Sequence, residues 1–284
     1  MTVQAYLLPR SLPEALGLLE RHGPDLLVMA GGTVAMPLMN DGISLPRAVM
    51  GLRLAGLNGI ERSNGRLRIG ATTTLTQLLQ QDSIPLLREA ARNTASWSVR
   101  NMGTVGGNLF TPPPGGDVAV ALLALDASVT LEGARGARVV SLEDFWTGFL
   151  TTELAADELL AEVWVPIPGR SAAFVKFGRK HANTPAVVTV AARLDWDGDR
   201  VVDARIALGA VGPHPIRARD AERLLIGGRL DADVIAAAAD SASQACDPFT
   251  DAIATTWYRR RMARLFVGRV LEQLAAGTPA RRND

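Results

Sequence analysis

The spacing of apolar positions over residues 1–55 predicts a small α/β unit. Ser11 stands before a helical stripe that has a proline and a glutamate in its first turn, which is typical of a helix start. The short apolar run Leu26–Met29 predicts a buried strand that leads into a glycine pair. A second short helix is predicted over 33–40, and a further strand over 48–52.

Residues 56–168 predict a second α/β unit. Apolar and polar positions alternate on both sides of Asn64-Gly65, which predicts a β-hairpin with its turn at this dipeptide. Thr74 is placed to cap a helix that runs to about Gln81. The other predicted elements are helices over 85–96 and 118–125 and strands over 128–131, 138–141 and 159–166.

A change of composition at 166–169 predicts a boundary, beyond which the pattern favours an antiparallel sheet followed by helices. The sequence therefore predicts an α+β protein in three parts, over 1–55, 56–168 and 169–284. The arginines at 259–261 are predicted to form a solvated helix face or to contact a partner subunit. The predicted C-terminal elements are strands over 173–179, 187–196 and 202–209 and helices over 218–225, 231–245 and 258–276.

The composition is that of an ordinary globular protein. The 284 residues are 48% hydrophobic and 21% charged, and the net charge is +1. This balance gives no strong field that would attract nucleic acid or an acidic membrane. No apolar run is long enough to span a bilayer, and the first residues lack the pattern of a secretory signal. We therefore predict a cytoplasmic protein with no integral membrane segment and no nucleic-acid partner.

Cysteine and histidine are scarce. Cys246 is the single cysteine, which excludes a disulfide framework and an iron–sulfur cluster held by this chain alone. The three histidines, His22, His181 and His214, are too widely separated in sequence to predict a zinc site. We predict no metal site and no catalytic acid or base on this chain.

Two glycine pairs carry the strongest chemical signal. They are Gly31-Gly32 and Gly106-Gly107, and no Lys or Arg lies within the short segment around either pair. A segment that binds phosphate without side-chain cations must use backbone N–H groups, and glycine allows close approach and positive φ. Two such segments predict a ligand with two phosphates held between them.

Several further motifs accompany the glycine pairs in a fixed order. They are Ala30-Gly31-Gly32-Thr33, Ile69-Gly70-Ala71-Thr72-Thr73, the run 99–108, Asp117 ahead of 121–127, Phe174-Val175-Lys176, and the runs 204–209, 215–218 and 258–260. This series closely resembles the FAD-binding medium subunit of the molybdenum hydroxylases, the xanthine dehydrogenase and carbon monoxide dehydrogenase family. The resemblance covers nearly the whole chain, and several motifs in order are far more specific than any one of them.

The resemblance implies FAD as the cofactor, held by two PCMH-type α/β subdomains that precede a C-terminal three-stranded antiparallel sheet with helices. It also implies that both glycine segments wrap the FAD diphosphate with backbone amides. The residues matched in this way are Val28, Met29, Ala30, Gly31, Gly32, Thr33, Val34 and Ala35 in the first segment, and Thr104, Val105, Gly106, Gly107 and Asn108 in the second.

The resemblance assigns three further side chains to the flavin ring. Asp117 would accept a hydrogen bond from a ring N–H, Lys176 would place a cation near the isoalloxazine, and Leu160 would make an apolar contact. Each has an alternative: Asp117 only as a helix N-cap, Lys176 as a surface lysine, and Leu160 as plain core. Thr72 and Thr73 resemble a turn near the adenine and ribose end.

The implied function is electron transfer within a larger complex. Substrate would be oxidised at a molybdenum centre on a molybdopterin-containing large subunit, and electrons would reach this FAD through the [2Fe-2S] clusters of a small subunit. An external acceptor would then take them, and the complex would be a dimer of heterotrimers. Two alternatives are a self-sufficient flavin oxidase or reductase on the same fold, and a non-catalytic scaffold subunit that has lost its flavin.

Overall fold

The computed structural model describes residues 3–167, 171–180 and 183–277. The predicted boundary between residues 168 and 169 lies outside these residues, and so does His181. The described strands form sheets of three, five, four and two strands.

A parallel three-stranded sheet with strand order β1-β3-β2 forms the N-terminal part. Its elements are β1 (Ala5–Leu7), α1 (Leu12–His22), β2 (Leu26–Met29), α2 (Ala35–Asn40) and β3 (Ala48–Gly51). The hydroxyl of Ser11 accepts from the N–H of Glu14 at 3.3 Å, which confirms the predicted helix start. Strand β1 has no counterpart among the predicted elements, because a three-residue strand is too short to show a periodic pattern.

An antiparallel five-stranded sheet with strand order β4-β5-β10-β6-β7 organises the second part. Asn64 and Gly65 both adopt positive φ, of 48° and 72°, at the predicted hairpin turn. The elements are β4 (Ile60–Ser63), β5 (Arg66–Gly70), α3 (Leu75–Gln80), α4 (Pro85–Asn93), α5 (Trp97–Met102), α6 (Val105–Leu109), α7 (Asp117–Ala124), β6 (Ser128–Gly133), β7 (Gly136–Ser141), α8 (Leu142–Phe145), β8 (Trp146–Gly148), β9 (Thr151–Thr152) and β10 (Glu158–Pro166).

The helix predicted over 85–96 is present as α4, but it ends at Asn93 and not at residue 96. Ala95 adopts a left-handed conformation with φ of 50°, and Ser96 then caps α5. The guanidinium of Arg100 donates to the carbonyl oxygens of Arg92, Thr94 and Ala95, so that the end of α4 is satisfied by a side chain from α5. Nothing in the local sequence pattern marks this contact.

The C-terminal sheet has four antiparallel strands in the order β11-β12-β13-β14. The prediction had three, and the fourth strand has only two residues. The elements of this part are β11 (Ala172–Gly178), β12 (Ala186–Asp197), β13 (Arg200–Gly209), β14 (Ile216–Arg217), α9 (Arg219–Leu225), α10 (Ala232–Gln244) and α11 (Thr256–Ala276).

The predicted solvated arginine face is wrong for Arg259, which is 1% exposed. Its guanidinium donates to both carboxylate oxygens of Asp251 at 2.8 and 2.9 Å. It also donates to the carbonyl oxygens of Ala186, Val187 and Ala210 at 2.9–3.1 Å. Arg259 therefore ties α11 to the start of β12 and to the end of β13.

Helix α7 joins the second part to the C-terminal part. All of its residues are buried, and it packs against α4 on its own side and against β12 and β13 across the interface. The close approach depends on Gly209, because an added Cβ there would lie 2.4 Å from Cγ2 of Val120. The absence of a side chain at Gly209 thus allows α7 to pack closely against the C-terminal sheet.

The N-terminal part shares its hydrophobic core with the second part. Leu159 and Ala161 of β10 pack in one cluster with Ala15 and Leu19 of α1. The three parts therefore meet around β10 and α7. Among the helices of the described ranges, none combines the length and the hydropathy needed to cross a bilayer.

Candidate functional site

A cavity of about 750 Å³ lies where the three parts meet, a volume typical of a site for a small molecule or cofactor. Val105 does not line it and belongs instead to the core of the second part, where it is fully buried. The predicted residues on its wall are Val28, Met29, Ala30, Gly31, Gly32, Thr33, Val34, Ala35, Thr104, Gly106, Gly107, Asn108, Asp117, Leu160 and Lys176.

Residues 31–35, within the first glycine segment, present a row of unused backbone donors. Within the described ranges of the chain, the N–H groups of these residues donate to no acceptor. Gly32 adopts a positive φ of 71°, a conformation that glycine tolerates without strain. Because folded proteins rarely leave consecutive backbone donors unpaired, this row is suited to bind an anionic ligand.

Gly31 has a second role, which the sequence analysis did not foresee. An added Cβ on Gly31 would lie 1.8 Å from the carbonyl oxygen of Met102 and 3.1 Å from Cα of Gly103. The first segment thus packs directly on the chain that leads into the second. This glycine is required by a contact within the protein as well as by its place on the cavity wall.

The second glycine segment, residues 104–108, differs from the expected loop because most of it is helical. Thr104 caps α6, and its hydroxyl accepts from the N–H of Gly107 at 3.0 Å. The N–H groups of Val105, Gly106 and Asn108 donate to the carbonyl oxygens of Thr73, Ala71 and Thr104.

The remaining donors of the second segment are two side chains and the backbone N–H of Thr104, which donates to no acceptor within the described residues. The side-chain Oδ1 of Asn108 accepts from the N–H of Ala119 at 2.9 Å, near the start of α7. The side-chain Nδ2 of Asn108 and the hydroxyl hydrogen of Thr104 have no acceptor among the residues that the structure describes.

Asp117 and Lys176 form a buried ion pair on the cavity wall. The Lys176 ammonium donates to Asp117 Oδ2 at 2.7 Å and to the carbonyl oxygen of Asn93 at 3.2 Å. The surface-lysine alternative is therefore wrong, since this side chain is only 8% exposed. The N-cap alternative is also wrong, because Gly116 occupies the cap position and the Asp117 carboxylate bonds to the C-terminal part.

Thr189 completes this group, and the sequence analysis missed it. Its hydroxyl donates to Asp117 Oδ1 at 2.9 Å. Thr189 lies directly opposite Lys176 in the pairing of β12 with β11, so both side chains leave one face of the sheet. Burial raises the pKa of Asp117 above its ordinary range, and bonds from Lys176 and Thr189 oppose that rise.

The two threonines near the β5 turn have different environments. Thr72 lines the cavity, and its buried hydroxyl oxygen has no hydrogen-bond partner within the described residues. Thr73 is fully buried, and its hydroxyl exchanges hydrogen bonds with the backbone of Gly59 at 3.0 Å. Only Thr72 therefore has a polar atom left for a ligand.

Leu160 is both a cavity residue and a core residue, so its two interpretations are compatible. Other wall residues carried no sequence signal. Glu158 faces the cavity from β10 while its carboxylate is held by Arg138, and that bond lowers the pKa of Glu158. The break after α4 adds Thr94 and Ala95, which a continuous helix would not have brought there.

Comparison with known families decides the identity of this chain. A family model described as the FAD binding domain in molybdopterin dehydrogenase matches residues 1–168. A second model, the CO dehydrogenase flavoprotein C-terminal domain, matches residues 172–274. The chain belongs to the FAD-binding medium subunits of the molybdenum hydroxylases. This medium subunit is thus part of an oxidoreductase of the carbon monoxide and xanthine dehydrogenase type.

Individual relatives match over almost their full length. The medium subunit is 31% identical to the glyceraldehyde dehydrogenase medium chain of Sulfolobus acidocaldarius, covering 95% of this chain and 98% of that one. It is 32% identical to the carbon monoxide dehydrogenase medium chain of Afipia carboxidovorans, over 94% and 95% of the two chains.

Solved structures agree with these sequence relatives. Carbon monoxide dehydrogenase from Hydrogenophaga pseudoflava superposes with a TM-score of 0.94 at 32% identity, covering 98% of this chain and 99% of that one. Quinoline 2-oxidoreductase from Pseudomonas putida 86 gives a TM-score of 0.91 at 32% identity, with 98% of both chains covered. The predicted family and the α+β fold are therefore confirmed.

FAD is the cofactor of this medium subunit, and the cavity fits it. Unpaired N–H groups at residues 31–35 suit a diphosphate, and the unpaired Thr72 hydroxyl offers a further polar contact. The buried carboxylate of Asp117 suits a ring N–H donor. Apolar side chains such as Leu160 suit the face of a flat ring.

Proposed function

We propose that this medium subunit is the electron-transfer subunit of a molybdenum hydroxylase. It receives electrons from the [2Fe-2S] clusters of a small partner subunit and passes them to an external acceptor. One observation carries the proposal: a cavity that fits FAD lies on a chain whose single cysteine, Cys246, is buried in the C-terminal core. Because such clusters need several cysteine or histidine ligands, the electrons come from outside this chain.

The two glycine segments bind the diphosphate through different donor groups. The backbone N–H groups of residues 31–35 bind the phosphate oxygens, since they are unpaired in the described part of the protein. The second segment contributes the backbone N–H and hydroxyl of Thr104 and the side-chain amide of Asn108, because the backbone donors of 105–108 are already used. We propose this division for the residues that the sequence matched to both segments.

Three residues hold and tune the flavin ring. When bound, FAD supplies the redox chemistry, because its ring takes up two electrons and gives them on. Asp117 keeps free lone pairs to accept from a ring N–H, and Leu160 packs against the ring. Lys176 was predicted to place a cation near the ring, and its charge is balanced by Asp117 at 2.7 Å, so we propose that the pair presents little net charge to the ring.

We further propose that the complex is a dimer of heterotrimers with a molybdopterin-containing large subunit and a [2Fe-2S] small subunit. Several relatives are named medium chains or medium subunits, which implies larger and smaller partners for those proteins.

The division of this chain into 1–55, 56–168 and 169–284 stays a prediction, and so does its cytoplasmic location.

Purification from the native source tests this function. The tagged chain is isolated under non-denaturing conditions, and the FAD, iron, labile sulfide and molybdenum of the product are measured together. We expect a yellow complex that contains all four, with the metals lost and the FAD retained when the chain is expressed alone.

A yellow chain that purifies without partners and oxidises a substrate unaided would overturn the proposal in favour of a self-sufficient flavin enzyme. A complex that contains both metals but never FAD would support the scaffold alternative instead. The matched control is the same purification after Asp117→Ala together with Lys176→Met, which leaves neither charge buried alone and should lower the FAD content with the metal content unchanged.

A further inference from the structure

One carboxylate on the cavity wall receives hydrogen bonds from two neighbouring strands of another part of the chain. Asp117 belongs to α7, whereas Lys176 lies on β11 and Thr189 on β12. The two donors reach different oxygens, at 2.7 Å for Oδ2 and 2.9 Å for Oδ1. A carboxylate held at both oxygens cannot rotate without losing one of these bonds.

Thr189 itself is not a wall residue. It is 1% exposed and does not line the cavity, whereas Asp117 and Lys176 both do. Its neighbours along β12, Val188 and Val190, are apolar and pack in the C-terminal core. A buried hydroxyl in such a run needs a partner, and in this structure the partner is the Asp117 carboxylate.

We propose that Thr189 is a positioning residue, whose hydroxyl fixes the Asp117 carboxylate so that its free lone pairs face the cofactor. The inference rests on the proposed role of Asp117 as acceptor for a flavin-ring N–H. Lys176 alone would anchor only Oδ2 and would leave the carboxylate free to turn about its Cβ–Cγ bond. Thr189 removes that freedom, and its strand partner Gly209 lets α7 approach closely enough for the bond to form.

The test separates the hydroxyl of Thr189 from its volume. Thr189→Val keeps the shape and removes the hydroxyl, whereas Thr189→Ser keeps the hydroxyl and loses a methyl group. The apo form of the full-length chain is titrated with FAD, and binding is followed by the quenching of flavin fluorescence. We expect Thr189→Val to raise the Kd about tenfold, as for a lost hydrogen bond to a charged group, and Thr189→Ser to stay within about twofold of the wild type.

A second arm asks whether Thr189 acts through Asp117. In a background that carries both Asp117→Ala and Lys176→Met, so that no buried charge is left unpaired, adding Thr189→Val should change the Kd by less than about twofold, because the group that the hydroxyl positions is gone. A role in packing alone would give the same loss in both backgrounds and would make serine no better than valine. Either result overturns the inference.

The Asp117→Ala and Thr189→Val variants also distinguish a failure of this inference from a failure of the proposed function. If Asp117→Ala binds FAD as tightly as the wild type, the proposed role of Asp117 fails and the inference fails with it. If Asp117→Ala weakens binding but Thr189→Val does not, only the inference fails. Should Thr189→Val not fold, Thr189→Ala and Thr189→Ser give the same contrast, since both lose the methyl group and only serine keeps the hydroxyl.

Discussion

Two sides of the cavity differ in whether their polar groups are hydrogen-bonded within the protein. On the open side, residues 31–35, the backbone N–H groups have no partner in the described chain. On the closed side, residues 104–108 with Asp117, Lys176 and Thr189, the backbone donors of 105–108 and both carboxylate oxygens are bonded within the protein.

This difference shows that similar glycine pairs serve different purposes. The open side has donors that only a ligand can satisfy, so its substitutions should change the affinity for FAD. The closed side is already organised by the fold, so its substitutions should lower the free energy of unfolding even without FAD. Four substitutions test this contrast, beginning with the largest expected effect.

Lys176→Met should give the largest loss, because it leaves the Asp117 carboxylate buried without its counter-ion. We expect the free energy of unfolding of the apo chain to fall by about 3–5 kcal/mol at pH 7, measured by urea denaturation. A double variant that also carries Asp117→Asn removes both charges and should recover most of this loss. A loss below about 1 kcal/mol for the single variant would contradict the closed-side interpretation.

The loss should also depend on pH. Without the ammonium, the folded-state pKa of Asp117 rises further above its ordinary value of 3.8, so the folded state holds a proton that the unfolded state has released. The penalty is therefore absent below about pH 4 and grows as the pH rises towards the folded-state pKa. Equal losses at pH 5 and pH 8 would exclude this cause.

Gly31→Ala tests the contact by which the open side packs against the backbone of Met102. Its added Cβ would meet the Met102 carbonyl oxygen, which is backbone and cannot move freely. We expect a loss of about 1–3 kcal/mol in the free energy of unfolding, together with weaker FAD binding. Gly17→Ala is the matched control: its Cβ meets only a side-chain atom at 3.6 Å, so the helix should gain about 0.5–1 kcal/mol.

Thr33→Ala should have the smallest effect on stability. Its hydroxyl has no partner among the described residues, so we expect a change within about 0.5 kcal/mol but a FAD affinity several-fold weaker. Asn108→Ala is its closed-side counterpart and leaves the buried N–H of Ala119 unpaired, at a cost of about 1–3 kcal/mol in the apo chain. If the two variants were equally destabilised, the contrast between the sides would not hold.

Local chemistry made much of the fold predictable. The turn at Asn64-Gly65 and the cap at Ser11 depend on a few adjacent residues, and both are where the sequence predicts them. Thr74 forms the predicted cap as part of a capping box with Gln77. Most predicted wall residues also line one cavity, because they lie in motifs that the family resemblance placed together.

Contacts between distant segments explain what the sequence analysis missed. Thr189 bonds to Asp117 across 72 positions of sequence, and the register of β11 with β12 places Thr189 opposite Lys176. The break at Ala95 depends on carbonyl groups that Arg100 satisfies, and the burial of Arg259 depends on Asp251. None of these partners is specified by the spacing of apolar residues.

The interface around α7 has a mechanical consequence. The carboxylate at the start of this helix and its counter-ion belong to different parts of the chain, and both are almost fully enclosed. Drawing the C-terminal part away would strand a negative charge in an apolar interior, which costs several kcal/mol. The ion pair therefore opposes hinge motion between the second part and the C-terminal part.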